Sequence, residues 1–228
     1  MSRLGLVVVI VGLAVQATAA RRPYPDSATF LAAWLKAYRA AAPAADDAAG
    51  ARLARAAFEQ TKGKVVYDPA YFKLAYPGGD PPAGRGVCTD VVVRAYRTLG
   101  VDLQVAVHED MARSFDAYPD LWRRGMPDAN IDHRRVPNLM VFFARKGAAL
   151  PLSTRPADYR PGDVVAYDLG GGVTHVGVVS ERRSADGERP LLVHNIGAGP
   201  KLEDVLFAWT VVGHFRYFGR ASISAASR

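Results

Sequence analysis

Apolar residues recur at two periods along this chain, and the change of period falls near residue 161. Ahead of it, Phe30, Leu31, Trp34, Leu35 and Tyr38 stand three and four apart, which gathers side chains on one helical face. This predicts a helix over 27–42, capped by Asp26 or Ser27. A second helix is predicted over about 46–60, with Leu53, Ala57 and Phe58 on one side and Gly63 at its end. A third, over 87–99, carries Val91, Val92, Ala95, Tyr96 and Leu99, and Gly100 stops it. Residues 76–86 read Y-P-G-G-D-P-P-A-G-R-G, too rich in Gly and Pro for regular structure. The stretch 101–135 is polar and aromatic, and 138–146 predicts a short helix. Behind Pro161-Gly162-Asp163 the pattern becomes that of strands, over 164–167, 174–180, 191–195 and 211–218, with turn signals at 170–172 and 185–187. Helices first and neighbouring strands after them predict an α+β fold with a mostly antiparallel sheet.

The first twenty residues follow a different logic. Arg3 precedes an apolar run from Leu4 to Val15, then come Ala17, Ala19 and Ala20, then Arg21, Arg22 and Pro23. That is the order of a secretory signal, with cleavage expected after Ala19 or Ala20. The run is shorter than the ~20 residues of a spanning helix, which makes an uncleaved anchor the lesser alternative. No later run reaches that length, so no stable membrane span is expected after cleavage, and the expected location is periplasmic or secreted. The organisation expected is a signal peptide over 1–20, a helical lead-in over 21–62, one catalytic domain over 63–220 and a tail over 221–228. Hydrophobic residues make up 50% and charged residues 22% of the chain, the balance of a globular protein with a core to bury. The net charge of +7 is scattered, which fits long-range attraction to an anionic wall or membrane surface. No motif supports nucleic-acid binding.

Export gives weight to the cysteine count. The chain has a single cysteine, so no internal disulfide forms, and a lone thiol in an oxidising compartment is exposed to oxidation. Cys88 is either a small apolar filler or a working nucleophile. Its position favours work: it heads the helix predicted over 87–99, where unpaired N–H groups and the helix dipole lower a thiol pKa, and it follows a Gly-rich loop. Such a thiol needs a base, for which the chain has five histidines. His175, in T-H-V-G-V-V, shares its strand face with Val173, Gly177 and Val179, and Gly177 leaves room beside the ring. A histidine so placed is either a satisfied core residue or a base. If the strands of His175 and His194 pair, His194 can reach the second nitrogen of His175 and fix its tautomer.

The set G-V-C-T-D-V-V-V-R-A-Y, R-P-G-D-V-V-A-Y, T-H-V-G-V-V and L-V-H-N resembles the NlpC-type branch of the papain-like cysteine peptidases. With H-E-D-M and N-I-D-H-R-R added, it resembles more closely a bacterial family described only as a domain of unknown function. The likeness spans about residues 63–220. It implies a papain-like fold and cleavage of amide bonds in peptidoglycan stem peptides or of related amide or ester bonds. It carries Cys88 over as nucleophile, His175 as base and His194 as orienting residue, with Asn195 the competitor for that third role. Departures are Thr89-Asp90 in place of Ser-Gly after the cysteine, and a long insertion over 101–150. Tyr76 is nearest to the substrate-site tyrosine of that family.

The remaining polar groups have two readings each. Asp90 caps its helix or forms a salt bridge, or else holds a substrate amine. Arg134 and Arg135 form a solvated surface pair, or else fork onto a substrate carboxylate. His108, Glu109, Asp110, Asp132 and His133 are metal-ligand types, but they lack H-E-x-x-H spacing and read as loop hydrogen-bonding groups. His214 reads as structural. The reading calls for no metal and no organic cofactor, and its alternatives are an inactive peptidoglycan- or protein-binding module and an acyltransferase or transpeptidase.

Overall fold

The computed structural model describes residues 46–119, 121–122 and 125–219. The expected signal peptide, the helix over 27–42 and the tail over 221–228 lie outside these residues. In chain order the principal elements are α1 (Asp47–Glu59), β1 (Val66–Tyr67), β2 (Arg85–Gly86), α2 (Cys88–Arg97), α3 (Leu103–Arg113), α4 (Val136–Arg145), β3 (Val164–Asp168), β4 (Thr174–Arg183), β5 (Pro190–His194), β6 (Lys201–Glu203) and β7 (Thr210–Phe215). Strands β3 to β7 form one sheet in the order β6-β5-β4-β3-β7, antiparallel at every step. Strands β1 and β2 pair in parallel beside it. The fold is α+β, as the change of period predicts.

Alternation along the strands gives the sheet two buried faces. Val164, Ala166, Val176, Val178, Val193 and Phe215 point to the helices and join the larger core cluster. Val165, Tyr167, Val179 and Leu192 point the other way and pack with Tyr159 and Leu206. Helix α2 lies in the larger cluster, with Val91, Val92, Val93, Ala95 and Tyr96 all buried. A helix apolar on most of its surface must be covered on most of its surface. Here α1, α3 and β4 cover it.

Helix α1 belongs to this same core. Asp46 caps it by accepting Ala49 N–H at 2.9 Å, and Leu53 and Ala57 are fully buried. Gly50 of α1 presses on the P-G-D turn: a Cβ on Gly162, whose φ is +85°, would lie 2.4 Å from the Gly50 oxygen. A boundary at residue 63 therefore does not separate a lead-in from the domain. The turn itself is anchored by Asp163, which accepts from Arg160 N–H at 2.9 Å and from His214 Nε2 and both Arg216 donors at 2.7 Å each. His214 has a structural role, tying β7 to the start of β3.

Helix α3 lies in the polar and aromatic stretch over 101–135, where the sequence predicts no element. Leu103, Val107 and Met111 are spaced by four and buried, and Asp102 caps the helix through Gln104 N–H at 3.0 Å. The polar H-E-D at its end obscures this spacing in the sequence. Strands β1, β2 and β6 span only two or three residues, too few for an alternation to register.

Candidate active site

Cys88 is the first residue of α2. Val87 ahead of it is extended, and its N–H donates to Asp90 Oδ2 at 2.7 Å, the reciprocal half of a capping box. The N–H groups of Val176, Thr89 and Cys88 itself are near enough to the sulfur to favour its thiolate form. Strand N–H groups point along the sheet plane, and β5 ends at His194, opposite Gly177. The Val176 N–H thus brings the thiol to the backbone of β4 next to His175, while the His175 ring points to the opposite sheet face, against Tyr167 and Trp209. No hydrogen bond joins Cys88 to His175 among the described residues. Burial pushes the thiol up to about 12; the Val176, Thr89 and Cys88 N–H groups oppose this, and Asp90 adds to it. Helix-head placement predicts a lowered Cys88 pKa; the residue is only 6% exposed, and burial, which raises the pKa, opposes that effect.

His175 sits near the start of β4 on the face opposite Val176, and it is buried. The register pairs Tyr167 with His175 and Gly177 with His194, so the two histidines are diagonal neighbours on one face. His175 Nε2 and His194 Nδ1 are 3.0 Å apart. Gly177 permits this approach: a Cβ there would meet Leu192 Cδ2 at 3.0 Å, Val193 O at 3.1 Å and His194 Cβ at 3.2 Å. Burial, and next the His194 ring, push His175 down to about 3. Burial also lowers His194, against the opposing pull of Glu203. Asn195 turns away, its Nδ2 donating to Gly86 O at 3.2 Å, so His194 rather than Asn195 contacts His175.

Two neighbours of the pair escape sequence reasoning. Trp209 meets His175 and His194 edge-on, with ring centroids 5.6 Å and 5.8 Å away. Glu203 Oε2 lies 2.9 Å from His194 Nε2, off the direction of an aligned hydrogen bond. Trp209 sits in a loop without periodicity. Glu203 sits in a strand too short to predict.

A cavity of about 180 Å³ opens beside Cys88, lined by Tyr67, Trp122, Arg134, Arg135, Thr174 and Cys88 among others. Tyr76 does not line it; that residue meets the His108 ring at 5.4 Å. Tyr67, on β1, is the tyrosine that lines it. The signal missed was the V-V-Y-D-P segment ahead of the Gly-rich loop. Burial raises the Tyr67 phenol pKa, and the charge of Cys88 raises it further. Arg135 stacks on Trp122 at 3.8 Å. Arg134 is not a solvated surface residue: it is buried and forks onto Asp90, Nε to Oδ1 at 3.0 Å and Nη2 to Oδ2 at 3.1 Å. Asp90 is thereby committed to the helix head and to Arg134, with no oxygen turned to a substrate amine.

The other ligand types go to separate contacts. Asp110 accepts from Arg145 Nε and Lys146 Nζ at 2.6 Å each and from Tyr118 O–H at 2.8 Å. His108 stands 3.5 Å from Asp132. His133 is buried and pushed down to about 3 by burial.

Cys88 belongs to the core on the helix side of the sheet, whereas His175 and His194 pack with Tyr167 and Trp209 on its other face, and neither histidine lines the cavity beside the thiol. A helix-head thiol and a strand-borne histidine pair, on an antiparallel sheet covered by helices, mark an α+β protein with one buried cysteine and two buried imidazoles in contact. The chain belongs to the family described as "Domain of unknown function (DUF1287)", whose model matches residues 54–217. It is similar to "Uncharacterized protein YijF" of Escherichia coli (strain K12), 54% identical over 166 residues, covering 73% of this chain and 80% of that one. No solved structure matches it. Cys88, Tyr67, His175, His194 and Glu203 all lie inside the matched segment.

Proposed function

We propose that this chain is an NlpC-type, papain-like cysteine hydrolase, exported to the periplasm or beyond, that cleaves amide bonds in peptidoglycan stem peptides. The observation that carries the reading is the Cys88 sulfur at the head of α2, set against the peptide following His175, whose Nε2 is already engaged by His194. The reading assigns the thiol proton to His175 Nδ1, the ring nitrogen that His194 does not engage, and requires that ring to reach the thiol during turnover. The sulfur then attacks the amide carbonyl, and the amine leaves with a proton from His175. Water releases the acyl group by the same exchange in reverse. The N–H groups of Cys88 and Thr89 are free of helical acceptors at the helix start and suit an oxyanion. In the resting site, thiol and imidazole are both neutral, since burial disfavours both charges. The substrate class rests on the resemblance to NlpC-type peptidases, the signal-like N-terminus and the basic charge.

The test uses purified chain without residues 1–20 on defined muropeptides, with products identified by mass spectrometry. Cleavage that disappears in Cys88→Ala and in His175→Ala, with fold retained, supports the reading. Cleavage by Cys88→Ala at the wild-type rate ends it. An added amine acceptor appearing in the products would reassign the reaction to acyl transfer. The small cavity and the neutral thiol favour one second reading, a non-catalytic module that grips a peptide. Muropeptide binding without turnover would establish that instead.

A further inference from the structure

The histidine pair continues across the sheet. His175 on β4, His194 on β5 and Glu203 on β6 lie on one sheet face, each displaced by two residues from the register partner of the one before. Glu203 pairs with Leu192 in register and leans on His194 Nε2 at 2.9 Å. His194 Nε2 is buried and has no other partner, while Glu203 is part-exposed at 39%. The charged or titratable groups facing His194 are Glu203 and Lys201 on β6 and His175 on β4.

We propose that Glu203 is a positioning residue that sets the tautomers of both imidazoles; this rests on the hydrolase reading. An ionised carboxylate only accepts, so it selects the His194 form carrying its proton on Nε2. His194 Nδ1 is then a lone pair, and the Nε2–H of His175 donates to it across 3.0 Å. His175 Nδ1 is left without a proton. When the thiol is activated, the S–H bond breaks, an Nδ1–H bond forms, and the imidazolium charge is spread toward Glu203 through His194. A carboxylate acting through one histidine is a familiar device for holding a base in its working tautomer; here two rings stand between the carboxylate and the thiol.

Glu203→Gln reverses the logic, because its amide can donate to His194 Nε2. His194 then carries its proton on Nδ1, and His175 is driven to the Nδ1–H form that cannot take the thiol proton. The experiment measures iodoacetamide alkylation of Cys88 against pH by mass spectrometry, together with imidazole 15N shifts of histidine-labelled protein. Expected are Nε2–H tautomers for both histidines in wild type, inverted tautomers in Glu203→Gln, and alkylation at pH 7 slowed by about 10- to 100-fold. Glu203→Asp should restore the wild-type tautomers and at least part of the rate. If Glu203→Gln keeps wild-type tautomers, whether or not its rate falls, the assignment of Glu203 is overturned while the Cys88–His175 pair stands. If His175→Ala alkylates as fast as wild type, the hydrolase reading fails first and takes this role with it.

Discussion

Arg134 holds Asp90 through two parallel hydrogen bonds of 3.0 Å and 3.1 Å, joining the middle of the chain to the first turn of the cysteine helix. The same guanidinium donates to Ala70 O at 2.9 Å, and Arg134 O accepts from Thr89 Oγ1 at 3.1 Å. The helix head, the strand before the Gly-rich loop and the wall of the cavity are thus fixed by one buried ion pair. Such a pair holds geometry more than it adds stability, since both charges were taken out of water to form it. Removing one partner is the costly event. Asp90→Asn or Arg134→Met should lower unfolding free energy by about 3–5 kcal/mol, read from urea midpoints. The double variant with apolar partners should recover part of that loss. Single variants within about 0.5 kcal/mol of wild type would show that the pair is not desolvated as described.

Two buried histidines set the acid limit of the fold. His175 and His133 are each pushed from 6.5 to about 3, chiefly by burial. The folded state therefore keeps them neutral where the unfolded chain takes up protons. Their contribution is intact above about pH 6.5 and is lost as pH falls toward about 3. Cys88 sets the opposite limit: its thiol is raised from 9.0 to about 12, so stability falls as pH rises through that interval. Denaturation midpoints should be flat near neutrality and drop on both sides, and His133→Gln should reduce the acid slope. An acid slope unchanged in that variant would mean that His133 does not bind its proton late.

Gly177 is where the sheet makes room for chemistry. Gly177→Ala would drive a methyl against Leu192, Val193 O and His194 Cβ, all within 3.2 Å. Leu192 can yield, but the carbonyl and the strand carrying His194 cannot do so without moving β5. Stability should fall by about 1–3 kcal/mol, and alkylation of Cys88 should slow as the two rings separate. A stable variant with an unaltered alkylation rate would show that the 3.0 Å contact between the histidines is not needed.

These relationships differ in how far the sequence announces them. Helical spacing reveals the helices around Leu53 and Val91, and the strands of Val165, Val178 and Val193, buried on both faces, stand out as short β-branched apolar runs between turn signals. The pairing of His175 with His194 follows from two strands joined by a turn. Asp90 with Arg134, by contrast, unites residues 44 positions apart, and nothing local in either segment marks the other as its partner. Tyr76 rather than Tyr67 stood out because it adjoins the glycines, although it is the parallel pairing of β1 with β2 that brings Tyr67 to the thiol. The high Cys88 pKa is equally invisible locally, for the helix head is written in the sequence and the depth of burial is not.

Trp209 offers a separate handle on the imidazoles. Its ring lies 5.6 Å from His175 and 5.8 Å from His194, and it also meets Tyr167 at 5.5 Å. On its other side it lines an open cleft of about 820 Å³ with Leu152, Phe207 and Val211. The indole is thus the partition between that cleft and the buried histidines. Trp209→Ala should let water reach both rings and relieve the desolvation that dominates their low basicity. His175 should then titrate at a higher pH, moving from about 3 back toward 6.5, as followed by its ring-proton shifts. Once the imidazole is more basic, the neutral thiol gives up its proton more readily. Cys88 alkylation near pH 7 should therefore speed up even as the fold loses about 3–5 kcal/mol from the lost indole. A His175 titration left at about 3 would mean that the strands themselves, and not Trp209, keep the pair dry.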